Sequence, residues 1–214
     1  MNFAKIDNFL APQDCEFLCE MMDADDCEVS SFNVHPYIAV GDYVNGSIDK
    51  LTVQRDPAYK ILGRPMLETV IRSIMIAFAK TAHNSFPSLV FDRSHEVSCH
   101  LMGLRLTPEG SGESGWHQDN SGRLIGILVL TDEDQYSGGE LCLRNYHSND
   151  IVFGPAKLNQ GDLLLVDDWK LEHARTSCFA NENTRCVRRT ILNLKVEQLV
   201  FGGKTRESFG QGLV

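Results

Sequence analysis

The chain of 214 residues is 43% hydrophobic and 23% charged, which excludes global disorder and fits one domain. Twenty Lys and Arg stand against 29 Asp and Glu, a net charge of -9. That balance argues against a non-specific nucleic-acid binder and against docking on an anionic membrane, since both need a cationic face.

Residues 1–7 lack a basic region followed by an apolar core, and the longest apolar run, 124–130, is far short of the roughly 20 residues of a membrane helix. The seven cysteines are scattered and contain no Cys-x-x-Cys pair. They read as thiols of a reducing compartment, so a cytoplasmic protein is expected.

In chain order, Pro12-Gln13-Asp14 opens a helix in which Cys15, Leu18, Cys19 and Met22 recur at helical spacing. Residues 35–55, rich in Val, Ile and Tyr, read as a ribbon with Asn45-Gly46 as its hairpin turn. A second helix is predicted over 65–82, with Met66, Val70, Ile74, Ala77 and Phe78 as its apolar stripe. Short β-rich runs then follow at 97–106, 116–119, 123–130, 140–144, 162–166 and 188–196, separated by Gly-rich turns. Many short strands without intervening helices predict an antiparallel sandwich or barrel, so the fold class is mainly β with helical support. Residues 1–200 read as a single domain with its β core at about 94–197, and 201–214 as a flexible tail.

The first place where chemistry is legible is Trp116-His117-Gln118-Asp119. In a strand, residues two apart share a face, so one imidazole and one carboxylate would project together toward a cation. A second imidazole from another strand would complete a two-His, one-carboxylate face with coordination positions left open. Chance alone supplies a pair of this kind in a chain with 7 His and 29 acidic residues, so the context decides.

Five elements stand in one order: His117-x-Asp119, Ser137-Gly138-Gly139-Glu140-Leu141, Gly161-Asp162-Leu163-Leu164-Leu165, His173, and the Arg-bearing segment 188–194. This order resembles the 2-oxoglutarate- and Fe(II)-dependent dioxygenases, and among them the prolyl-4-hydroxylase-like branch, over residues 97–197. The opening Ile6-Asp7-Asn8-Phe9-Leu10-Ala11-Pro12 before a helix is similar to the start of such domains. The resemblance implies a double-stranded β-helix (jelly-roll) core with N-terminal helices. It implies His117, Asp119 and His173 as iron ligands, with Asp167 and Asp168 left as turn or solvent groups.

The resemblance also implies an arginine on the strand after the distal histidine, holding the far carboxylate of 2-oxoglutarate through its planar fork. Arg188, with Thr190 two residues on, is the expected anchor. The inward set would be Arg188, Thr190, Leu192 and Leu194, and the outward set Arg189, Ile191, Asn193 and Lys195; a one-residue slip exchanges every role. Many relatives carry a tyrosine on a core strand at this subsite. Residues 101–106 and 124–130 have none, so Thr190 or a water is expected to replace it.

The cofactors implied are Fe(II), 2-oxoglutarate as co-substrate and O2, with ascorbate as an optional addition. The implied activity is hydroxylation of an unactivated C–H bond, with release of succinate and CO2. The substrate would be an amino-acid-like small molecule or a protein or peptide side chain, and Asp119 favours hydroxylation over halogenation. The alternative is a non-catalytic metal-binding or sensory barrel that kept the fold. Asn120, Arg105, Arg123 and Arg144 are candidate substrate contacts, read otherwise as solvated edge groups. Trp116 and Trp169 read as packing residues, and the ribbon 35–55 as a flap over the pocket mouth.

Overall fold

The structure is a computed structural model that describes residues 2–21, 33–55, 64–88, 95–105, 114–119, 123–181 and 186–195. The expected tail at 201–214 lies outside them. Thirteen strands and two α-helices follow one another in those residues. Strand β1 (Phe3–Ile6) precedes helix α1 (Pro12–Met21), and the ribbon is β2 (Asn33–Val44) and β3 (Ser47–Arg55). Helix α2 (Arg64–Ser85) leads into β4 (His95–Arg105), β5 (Ser114–His117), β6 (Leu124–Val129), β7 (Tyr136–Gly138) and β8 (Leu141–Asn145). The last strands are β9 (Ile151–Ala156), β10 (Leu163–Asp167), β11 (Leu171–Arg175), β12 (Cys178–Ala180) and β13 (Cys186–Lys195).

The strands form a large sheet in the order β1-β10-β6-β13-β4-β2-β3, a small sheet in the order β5-β11-β8-β9, and a two-stranded pair β12-β7. The two main sheets face each other as a double-stranded β-helix. Strand β6 shows why the arrangement is stable: all six of its residues are buried, because both faces are covered. Ile125, Ile127 and Val129 pack with Leu164 and Val166 of β10 and with Leu141, Leu143 and Leu171 of the small sheet. Leu124 and Leu128 face the other way, into a larger core with both helices.

Helix α2 closes that second core through Leu67, Ile71, Ile74, Met75, Phe78, Ala79 and Ala82. Of the expected stripe, Ile74 and Phe78 lie in this core and Val70 packs against it. Met66 is exposed, and Phe78 lies over Gly126, where a Cβ would stand 2.7 Å from the ring.

The ribbon also departs from expectation. Asn45 and Gly46 turn it with positive φ values of 48° and 85°, as the Asn-Gly signal requires. However, β2 pairs with β4 from Asn33 to Tyr43, so the ribbon widens the large sheet instead of folding over the mouth. Among the described residues no helix is long and apolar enough to cross a membrane.

Candidate metal centre

The site is built on two neighbouring strands of the small sheet. His173 of β11 lies directly opposite His117 of β5 in an antiparallel pair, and the ring centroids are 4.1 Å apart. Asp119 lies two residues past His117, where β5 has ended. Its Oδ1 is 3.6 Å from His117 Nε2 and 3.7 Å from His173 Nε2. One ligand atom from each residue falls within 4.8 Å of the others, so the three expected ligands are brought together. The ladder pairing of β5 ends at His117, and Asp119 follows in the segment just beyond it.

The donor set fits a divalent first-row metal. The Gly115 carbonyl lies 2.6 Å from His117 Nδ1 and can only accept, so Nδ1 carries the proton and the lone pair of Nε2 points at the centre. A ring nitrogen tied back in this way is usual for a metal-bound histidine. His173 is almost fully buried, Asp119 partly exposed, and His117 sits on the sheet edge. One side of the group is therefore walled by protein and the other open, which leaves room for further ligands.

The surrounding charges are arranged differently from expectation. Asp167 and Asp168 are not solvent groups; both are fully buried. Asp167 accepts from Arg123 Nη2 at 2.9 Å, and burial pushes its carboxyl upward although Arg123 pulls it down. Arg123 also stacks 4.4 Å above the Trp169 ring. On the neighbouring strands, Arg144 donates to Glu172 at 2.6 Å and lies 4.6 Å above Trp116. Each tryptophan is half-buried and carries an arginine that is already paired with a carboxylate. Neither arginine is a solvated edge charge. Asn120 and the Arg105 side chain lie outside the described residues.

The backbone register of β13 is set by its pairing with β6. Positions 189, 191 and 193 lie opposite Val129, Ile127 and Ile125, which belong to the core between the two sheets. Positions 190, 192 and 194 lie opposite Leu128, Gly126 and Leu124, on the helix side. The side chains of β13, those of Arg188, Arg189 and Thr190 included, lie outside the described residues. A one-residue difference in register moves every residue of a strand to the other face.

Two polar residues of the interior escaped the sequence reading. Arg175 is buried, stands two residues after His173, and donates to the Thr176 carbonyl at 3.3 Å and to Cys178 Sγ at 2.9 Å. His100, opposite Ile191, has Ser98 Oγ 3.2 Å from its Nε2. Counting in twos from His173 would have found Arg175; nothing in the sequence fixed the register that places His100.

No family model matches the sequence, and no curated protein matches it. Solved structures do. The chain is similar to IDO from Bacillus thuringiensis, with a TM-score of 0.65 and 16% identity over 92% of this chain and 91% of that one. It is similar to the Fe(II)/(alpha)ketoglutarate-dependent dioxygenase TqaL, with a TM-score of 0.58 and 10% identity over 91% and 82% of the two chains. An oxidoreductase of the 2OG-Fe(II) oxygenase family from Burkholderia pseudomallei gives a TM-score of 0.51 and 10% identity over 91% and 84%. The chain therefore has the fold of the 2-oxoglutarate/Fe(II) oxygenases, a jelly roll with a His-Asp-His group between its sheets.

Proposed function

We propose that this protein is an Fe(II)- and 2-oxoglutarate-dependent hydroxylase acting on an amino-acid-like small molecule or a protein side chain. The observation that carries the reading is the convergence of His117, Asp119 and His173 on one point at the open edge of the small sheet. Two neutral imidazoles and one carboxylate suit Fe(II) and leave positions for a chelating co-substrate. When bound, Fe(II) with 2-oxoglutarate and O2 supplies the oxidation of a C–H bond and yields succinate and CO2.

The chain's own residues provide the rest. The Gly115 carbonyl fixes the tautomer of His117, and the leucine- and isoleucine-lined core beneath the site excludes water from its inner side. The register of β13 supports Arg189, rather than Arg188, as the anchor for the far carboxylate. We take residues 1–200 as the domain that carries this activity, in the cytoplasm.

The test is succinate formation in the presence of Fe(II), 2-oxoglutarate and O2, read with a panel of amino acids and peptides. His117→Ala and Asp119→Ala are expected to abolish it. Full turnover in either variant would sink the reading.

A further inference from the structure

We propose that Asp168 is a positioning residue for the metal ligand Asp119, an inference that rests on the metal site proposed above. The problem it addresses is local. Strand β5 ends at His117, so Asp119 lies beyond its ladder pairs, and the segment that carries it is held by other contacts. Asp168 Oδ1 accepts the main-chain N–H of Asp119 at 3.1 Å. Asp168 has no exposed surface, so this hydrogen bond to a carboxylate is made away from water, where it is strong.

Asp168 is itself fixed from several sides. Its N–H donates to the Arg123 carbonyl at 3.1 Å, and Arg123 is held by Asp167 and Trp169. Asp167 in turn accepts from the Trp169 N–H at 3.2 Å, and its own N–H donates to the Asn2 carbonyl at 2.8 Å. The turn between β10 and β11 is thus tied down by these contacts and reaches the ligand Asp119 through the Asp168 carboxylate. It also leads straight into β11, which carries His173, so one turn registers the carboxylate ligand against the distal imidazole.

The test is Co(II) binding to the metal-free protein, followed by calorimetry and by the visible d–d spectrum, with thermal melting of the same samples. Asp168→Ala is expected to weaken Co(II) binding by about 10–100-fold and to alter the spectrum, the range usual for partners that orient a ligand. Asp168→Asn keeps an acceptor oxygen in the same place and is expected to bind within about 3-fold of the parent protein. In an Asp119→Ala background, Asp168→Ala should cost little further affinity, because the residue it acts through is gone.

Parent-like affinity and spectrum in Asp168→Ala would overturn the proposal while leaving the metal site standing. A parent protein that binds no Co(II) would overturn both. An Asp168→Ala chain that fails to fold, beside a normal Asp168→Asn, would assign the residue to the fold and also overturn the proposal.

Discussion

His173 and His117 are direct partners across β11 and β5, with Asp119 Oδ1 within 3.7 Å of both Nε2 atoms. Directly opposed residues of an antiparallel pair lie on one face, so two histidines far apart in the chain meet by strand pairing alone. The two are not equivalent. His173 is buried in the small sheet, while His117 occupies the edge strand and is the more exposed.

That difference separates their variants. Both His117→Ala and His173→Ala are expected to lower Co(II) or Fe(II) affinity by more than about 100-fold, beyond the range of outer partners. His117→Ala, at the exposed edge, should leave the melting temperature of the metal-free protein nearly unchanged. His173→Ala empties a buried position and should lower stability by about 1–3 kcal/mol. Calorimetric titration beside thermal melting reads both; equal metal affinity in parent and variants would remove these residues from the ligand set.

The register of β13 makes a second prediction, for 2-oxoglutarate. Arg189→Ala is expected to raise the KM for 2-oxoglutarate by about 10–100-fold, the loss of one charged hydrogen-bonding pair. Arg188→Ala, one register position away, should change it by less than about 3-fold. Succinate release measured against 2-oxoglutarate concentration separates the two, and the reverse ranking would restore Arg188.

The divergence between reading and structure follows from what each signal depends on. His-x-Asp, the Asn-Gly turn and the helical periodicities depend on neighbours in the chain, and all led to the right elements. Facing direction depends on partners distant in the chain. The alternation of Arg188 and Arg189 is symmetric until Val129 and Leu128 are paired opposite. Strand β11 passed unnoticed because Leu171-Glu172-His173-Ala174-Arg175 mixes charged and small residues and has little β-propensity of its own; it is a strand because β5 and β8 flank it.

Gly126 carries a stability prediction. A methyl group there would meet Phe78 at 2.7 Å and Leu163 at 3.0 Å, inside a core with no exposed neighbour to yield. Gly126→Ala is expected to destabilise by about 1–3 kcal/mol through overpacking. At roughly 2–4 °C per kcal/mol for a chain of this size, the fall is visible in a melting curve. An unchanged melting temperature would show that α2 is free to move outward.

The Gly161-Asp162 motif makes the last prediction, because its acid is structural rather than catalytic. Asp162 is 2% exposed and accepts the N–H groups of Asn8 at 3.1 Å and Asn159 at 3.2 Å, while Lys5 Nζ lies 2.8 Å from Oδ2. Asp162→Ala strands two donors and is expected to cost about 2–4 kcal/mol of stability without changing metal affinity. Lys5 adds a pH dependence. Its pKa is raised above the ordinary 10.5, first by the hydrogen bond to Asp162 and then by that to Asp7. A lysine that binds its proton more tightly when folded stabilises fully below its unfolded pKa and loses that contribution as pH rises through the folded value. The stability gap between the parent protein and Lys5→Met should therefore be constant through neutral pH and shrink only in the alkaline range above 10.5. Urea melts between about pH 8 and pH 11 measure it, and a gap that widened with pH would contradict the pairing.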